Sequence, residues 1–303
     1  MPDAVIEVTG VARSFGGHRV LDGLELSVAR GQVYAFLGRN GAGKSSTLRL
    51  LMGLLPAERG TIRVLGLDPA HDALAIRQRV GYLAEDQQMW GWMRVREIMR
   101  FLAPFYPTWD MARAVQLVEQ FGLPPDAKIA TLSKGQNVRL GLLLALAHRP
   151  ELLILDDPAL GLDPVMRKEF LRDIVSIVQD SGATVLFSSH LLYEVEPVAD
   201  VVGILHGGRL VRQAPTDELR ARVQQVILSA EQYAHAELHG VLDVKRAGAR
   251  VAAILEDAPA TIAALRRAGV VPEVVELNLD EIFEAYVVGE RPARGPEAVA
   301  AAC

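Results

Sequence analysis

The chain has 303 residues, half of them hydrophobic, and its 32 basic and 37 acidic side chains give a formal net charge of −5. That length allows about two domains, or one large domain with an appendage, and the acidic balance without a dense Lys/Arg run argues against a nucleic-acid partner. Apolar stretches such as 140–147 fall well short of the ~20 residues that span a bilayer. The N-terminus lacks the basic and then apolar build of a signal peptide, so a cytoplasmic location is expected. A single cysteine, Cys303, excludes an intramolecular disulfide and a Cys-based metal cage.

In chain order, short apolar runs alternate with helix-period segments up to about Ala214, predicting an α/β domain over 1–215 built on a largely parallel sheet. Strands are expected at 33–37, 81–84, 152–155, 184–188 and 201–205, and ligands of such sheets gather at the strands' carboxyl ends. Directly after the first of these comes Gly38-Arg-Asn-Gly-Ala-Gly-Lys-Ser45, followed by Ser46. The pattern G-x-x-x-x-G-K-[ST] between a strand and a helix is a phosphate-binding loop. Gly38, Gly41 and Gly43 let backbone N–H groups near Asn40 and Ala42 approach phosphate oxygens without an intervening Cβ. Lys44 suits the β- and γ-phosphates and Ser45 a magnesium ion. The helix that follows should carry Leu48, Leu51 and Leu55 on one face.

After the strand at 81–84 the chain reads Glu85-Asp-Gln-Gln and then Met89-Trp-Gly-Trp-Met93. A helical insertion is expected within about 88–140, reading as helices only over roughly 93–132. Trp90 and Trp92 either dock a partner or fill that insertion's core. Ser133 and Gln136 have the spacing of a capping box, and Gly135 lies between them; a capped helix end also aims free N–H groups at an anion. Leu152-Leu-Ile-Leu-Asp156-Asp157-Pro closes an apolar strand in two carboxylates, placing Asp156 to hold magnesium and Asp157 to orient water. Thr216-Asp-Glu-Leu reads as a helix start, with Thr216 as N-cap and an acidic first turn, near a domain boundary. From about Val223 the pattern is strand, strand, strand, helix, strand, helix, with helices at 260–268 and Leu279–Val287. A small α+β accessory domain is expected over 216–290, and an unstructured tail over 291–303.

Leu132-Ser-Lys-Gly-Gln136 resembles the LSGGQ signature of ABC ATPases, and other elements of that family stand in the expected order over about 4–215. Gly161-Leu-Asp163 resembles the D-loop, Ser189-His190 the switch histidine, and Phe15 the aromatic that stacks on adenine. The resemblance implies an ABC-type P-loop NTPase core with a helical signature subdomain, binding ATP with Mg²⁺. Two copies, or two related subunits, would meet head to tail, with Ser133 and Gly135 of one capping the γ-phosphate held by Lys44 of the other and Gln136 among the nucleotide-binding residues. His190 would contact that phosphate, Asp163 would help join the two sites, and separate transmembrane permease subunits would hold the pair at the inner face of the membrane. Two departures stand out: Asp157 occupies the place of the usual Glu, and Glu85 that of the usual Gln, with Gln87 and Gln88 as possible substitutes. Residues 277–286 are similar to the tails of exporter-type subunits. Two alternatives are a soluble ATP-driven switch and a near-inactive ATP-binding subunit paired with an active partner.

Overall fold

The structure, a computed structural model, describes residues 3–189 and 196–289. It divides into two compact units, Met1–Gln213 and Ala214–Cys303. His190 and the segment 291–303 lie outside the described residues.

In the first unit, β3 (Val33–Gly38) is central to a six-stranded sheet. The sheet also contains β5 (Val80–Leu83), β6 (Leu152–Asp156), β7 (Thr184–Ser189), β8 (Val201–His206) and β9 (Arg209–Pro215), in the order β5-β6-β7-β3-β8-β9. The strands from β5 to β8 pair in parallel. Their residues are nearly all buried, as strands covered on both faces must be. Close packing needs two bare backbones. At Gly203 a Cβ would stand 2.0 Å from the Tyr34 hydroxyl, and at Gly81 it would stand 2.3 Å from the Ala145 carbonyl oxygen. The Tyr34 ring is buried and its hydroxyl donates to Gln213 Oε1.

The sequence reading did not anticipate a second, antiparallel sheet in this unit: β1 (Ala4–Phe15), β2 (His18–Ala29) and β4 (Arg59–Val64), in the order β2-β1-β4. Its apolar face (Ile6, Val8, Leu24, Leu26, Val64) joins Tyr34, Phe36 and Leu48 in one hydrophobic core. The helix after the phosphate loop, α1, spans Lys44–Leu51 and buries Leu48 and Leu51, but stops before Leu55, which still packs against the core. Between β4 and β5 lies α2 (Ala73–Arg79).

The insertion contains α3 (Val95–Leu102), a short 3₁₀ turn, α4 (Met111–Gln120), a second 3₁₀ turn and α5 (Lys134–Leu146). An isolated antiparallel bridge joins Arg94 and Lys128, so the segment is not helical throughout. At the far end of α5 the His148 side chain is 1% exposed and stacks on Tyr106 at 4.3 Å, its ring nitrogens facing the backbone of Val80 and Leu144 without well-formed hydrogen bonds. Burial lowers its pKa from 6.5 to about 4. A depressed histidine pKa favours the neutral ring, so this contribution to stability is whole above the unfolded pKa and drains as pH falls from 6.5 toward 4. Between pH 7.5 and 5 the loss should be about 2 kcal/mol. In urea titrations at the two pH values, His148→Phe should remove that share of the pH dependence; equal slopes in both proteins would exclude it.

After β6, α6 runs Pro164–Ser181. The second unit holds α7 (Thr216–Arg222), β10 (Gln224–Ser229), α8 (Ala230–His235), β11 (Val241–Ala247), β12 (Arg250–Leu255), α9 (Ala258–Arg267), β13 (Glu273–Glu276) and α10 (Leu279–Val287). Pro215, not Thr216, is the cap position of α7. The four strands form one antiparallel sheet, β11-β12-β10-β13. Helix α8 interrupts the expected run of three strands, and its Ser229/Gln232 capping box explains its start. Val226, Ala253, Leu255, Ala258 and Ile262 form this unit's core.

Candidate functional site

At the carboxyl end of β3 the chain turns through 39–43 into α1. Gly41 and Gly43 hold φ values of 81° and 109°, a region that disfavours side chains, and at Gly43 a Cβ would come within 2.7 Å of Leu21. Gly38 and Ala42 back the loop, where a Cβ on Gly38 would meet the Leu205 carbonyl at 3.0 Å. A cavity of about 400 Å³ opens here. Asn40, Lys44, Ser45, Ser46, Glu85, Asp156 and Asp157 line it, gathered from α1 and from the segments that follow or end β3, β5 and β6. Arg39, Val20 and Leu160 complete the wall. Sequence reading did not single these out. Arg39 fills a variable position of the loop motif, and the other two reach the site only through folding.

Lys44 is buried, and its ammonium donates to the carbonyls of Gly38 at 2.7 Å and Arg39 at 3.5 Å. Desolvation lowers its pKa, while Asp157, Asp156 and Glu85 oppose the shift by stabilising the cation. Asp156 is 1% exposed, and its Oδ1 accepts from Ser45 Oγ at 3.0 Å and Ser188 Oγ at 2.9 Å. Burial raises the Asp156 pKa, and those two hydroxyls pull against it. Ser188, on β7 in register with Asp156, also accepts from the Asp157 N–H at 2.9 Å. One hydroxyl therefore ties down both carboxylate residues, a role legible in sequence only as a polar residue at a strand end. Asp157 sits at φ 44°, uncommon for a residue with a side chain, and such conformations cluster where surrounding structure imposes them.

Glu85, just past β5, is on the cavity wall. Desolvation and then repulsion from Asp156, Asp157 and Asp86 raise its pKa, against the pull of Lys44. Gln87 is committed elsewhere: its Nε2 donates to the Asn137 carbonyl at 3.0 Å, and its amide fills the space a Cβ on Gly141 would need. Gln88 is exposed and does not line the cavity.

Ser133 and Gln136 form the capping box at the start of α5: Ser133 Oγ accepts from the Gln136 N–H at 3.2 Å and Gln136 Oε1 from the Ser133 N–H at 3.0 Å. Gly135 is buried beneath Met166, whose terminal methyl stands 1.7 Å from where a Cβ would lie. The Lys134 ammonium similarly occupies the space beside Gly161. Asp163 caps α6, its Oδ1 accepting from the N–H groups of Val165 and Met166, both at 3.0 Å. None of Ser133, Gly135, Gln136 or Asp163 lines this chain's cavity. Phe15 does not line it either; it sits 41% exposed at the tip of the β1–β2 hairpin, with the Arg13 guanidinium 4.9 Å from its ring centre.

The family model described as ABC transporter matches residues 21–160. The bacitracin transport ATP-binding protein of Bacillus licheniformis is 36% identical over 220 residues, covering 72% of each chain. A daunorubicin resistance ATP-binding protein of Streptomyces coeruleorubidus is 35% identical and covers 93% of this chain and 96% of its own. Among solved structures, an ATP-binding subunit of an ABC transporter superposes with a TM-score of 0.66 at 29% identity, covering 72% of this chain and 92% of that one. With the strand, glycine loop, buried lysine and paired aspartates in place, these likenesses identify the chain as a member of the ABC transporter family, an ATP-binding subunit with the P-loop NTPase fold.

Proposed function

We propose that this chain hydrolyses ATP with Mg²⁺, as one half of a head-to-tail pair, to power export through separate transmembrane subunits. The cavity carries this reading: a glycine loop, a buried cation and buried carboxylates converge at the carboxyl ends of strands of one parallel sheet. Lys44 and the loop N–H groups would take the β- and γ-phosphates. Ser45 Oγ and Asp156 Oδ1 lie 3.0 Å apart, close to the roughly 3 Å between adjacent oxygens around an octahedral Mg²⁺ with bonds of 2.0–2.1 Å. These two residues would hold the ion, with Glu85 reaching it through water. Bound there, Mg²⁺ neutralises charge on the phosphoryl oxygens. Asp157 would orient the attacking water, and Phe15 would stack on adenine.

The signature residues Ser133, Gly135 and Gln136 are turned to their own helix cap and not to their own cavity, which supports a γ-phosphate cap donated across a pair. Asp163 would then help join the two sites, and His190 would contact the same phosphate. Closure on ATP and opening after hydrolysis transmit work because the two states bind nucleotide differently.

Among the described residues no helix is long and apolar enough to cross a membrane. The translocation path therefore calls for partner subunits, with this chain held at the inner membrane face. Trp90 and Trp92 are 48% and 71% exposed, and Trp90 packs edge-on against Phe101 at 5.0 Å, beside Phe105. Such a patch suits an apolar helix end of a membrane subunit. The relatives' names, bacitracin transport and daunorubicin resistance, favour export of drug-like compounds. Purified together with its transmembrane partner subunits, the chain should show Mg²⁺-dependent ATP turnover. Trp90→Ala with Trp92→Ala should weaken that association about 30-fold or more. Intact association in a stably folded double variant would remove the patch from docking.

A further inference from the structure

Strand β1 loses its ladder with β4 before it reaches Phe15. The last paired residues are Ala12 and Arg59, after a register shift beyond Thr9. Past that point side chains take over. The Glu58 N–H donates to the Ala12 carbonyl at 3.0 Å, and its carboxylate accepts from the Ser14 N–H at 2.9 Å and from Ser14 Oγ at 3.2 Å. Arg13 Nη1 donates to the Pro56 carbonyl at 3.1 Å while its guanidinium covers one face of the Phe15 ring. Both anchors, Pro56 and Glu58, belong to the short segment that leaves α1, the helix opened by the phosphate loop.

From these contacts we infer that Glu58 is a positioning residue for nucleotide binding: it clamps Ser14 so that the aromatic platform at Phe15 is held in fixed relation to the phosphate loop. The inference rests on the reading of Phe15 as the adenine-stacking residue. Beyond Ala12 the strand end is paired on its β2 side alone, through Ser14 with Arg19 and Phe15 with His18. Without a tie on the β4 side the hairpin tip and its ring would be freer to move, and ordering them on binding would consume affinity. With Glu58 and Arg13 in place, base and phosphates meet a preorganised pair of subsites. Arg13 covers one ring face, leaving the other to the base.

The test is calorimetric titration with MgADP, which carries a base, and with magnesium pyrophosphate, which does not. Phe15→Ala should weaken MgADP binding about tenfold. Glu58→Ala should weaken it several-fold, and Glu58→Gln, which keeps an acceptor for the Ser14 N–H, should recover most of that loss. The double variant Phe15→Ala/Glu58→Ala should bind no worse than Phe15→Ala alone, and pyrophosphate affinity should be unchanged throughout. If Phe15→Ala binds MgADP normally, the stacking reading itself fails. If Phe15→Ala weakens binding and Glu58→Ala does not, only the clamp is overturned. An equal loss of pyrophosphate binding in Glu58→Ala would also overturn it, by showing a general structural role.

Discussion

Asp157→Asn is expected to abolish ATP turnover, by about 10²–10⁴-fold, while nucleotide binding persists. The substitution keeps the size of the side chain and removes its ability to accept a proton from water. The backbone should hold, because the residue is anchored through its N–H to Ser188 Oγ and not through the carboxylate alone. ATP should therefore be trapped, and the pair should accumulate in its closed state. Turnover equal to the parent would exclude Asp157 from the chemistry and leave activation of water to another group. The reverse experiment uses the side chain's length. Asp157→Glu moves the carboxylate outward by one methylene, and a displacement near 1 Å can change a rate by on the order of 10²-fold. The left-handed backbone at Asp157 fixes where that methylene begins, so the direction of the change reports whether the fold already compensates for the shorter acid.

Lys44→Ala is expected to lower affinity for MgATP by about 10²-fold or more. Asp156, Asp157 and Glu85 present three carboxyl groups to the cavity, and the Lys44 ammonium is the buried cation facing them. Without it a polyphosphate would meet like charge from three carboxyl groups, with the exposed Arg39 and the backbone N–H groups of the loop as the remaining attraction. Lys44→Arg should not rescue binding fully, since a planar guanidinium cannot occupy the narrow space beneath Gly38 that the ammonium fills. Filter binding with labelled nucleotide reads both variants. Unchanged affinity in Lys44→Ala would mean that the cavity is not the triphosphate site.

Features written in consecutive residues were legible before any fold was known. The phosphate loop is one, because its glycines answer local backbone demands within eight positions. The capping box of Ser133 and Gln136 is another, since its two hydrogen bonds close within one helical turn. Helix α10 spans the Leu279–Val287 expected from the sequence. Features that depend on what lies opposite were not legible. Strands β1, β2 and β4 alternate buried and exposed residues, yet their assembly into a separate antiparallel sheet is a choice of partner. Similarly, Glu85, Gln87 and Gln88 stand within four positions, and only packing against Gly141 decides that Gln87 turns to α5 while Glu85 faces the cavity.

The sequence by itself determined the family and the places of the phosphate loop and the capping box, because short-range sterics and hydrogen bonding confine those motifs to few conformations. Only the tertiary structure decided which distant groups share a wall, which hydroxyl locks Asp156 and Asp157 together, and how Glu58 reaches Ser14. The reason is physical: side-chain direction and hydrogen-bond partnership across chain separations are set by close packing of whole elements, and local sequence carries no record of the neighbour that packing will supply.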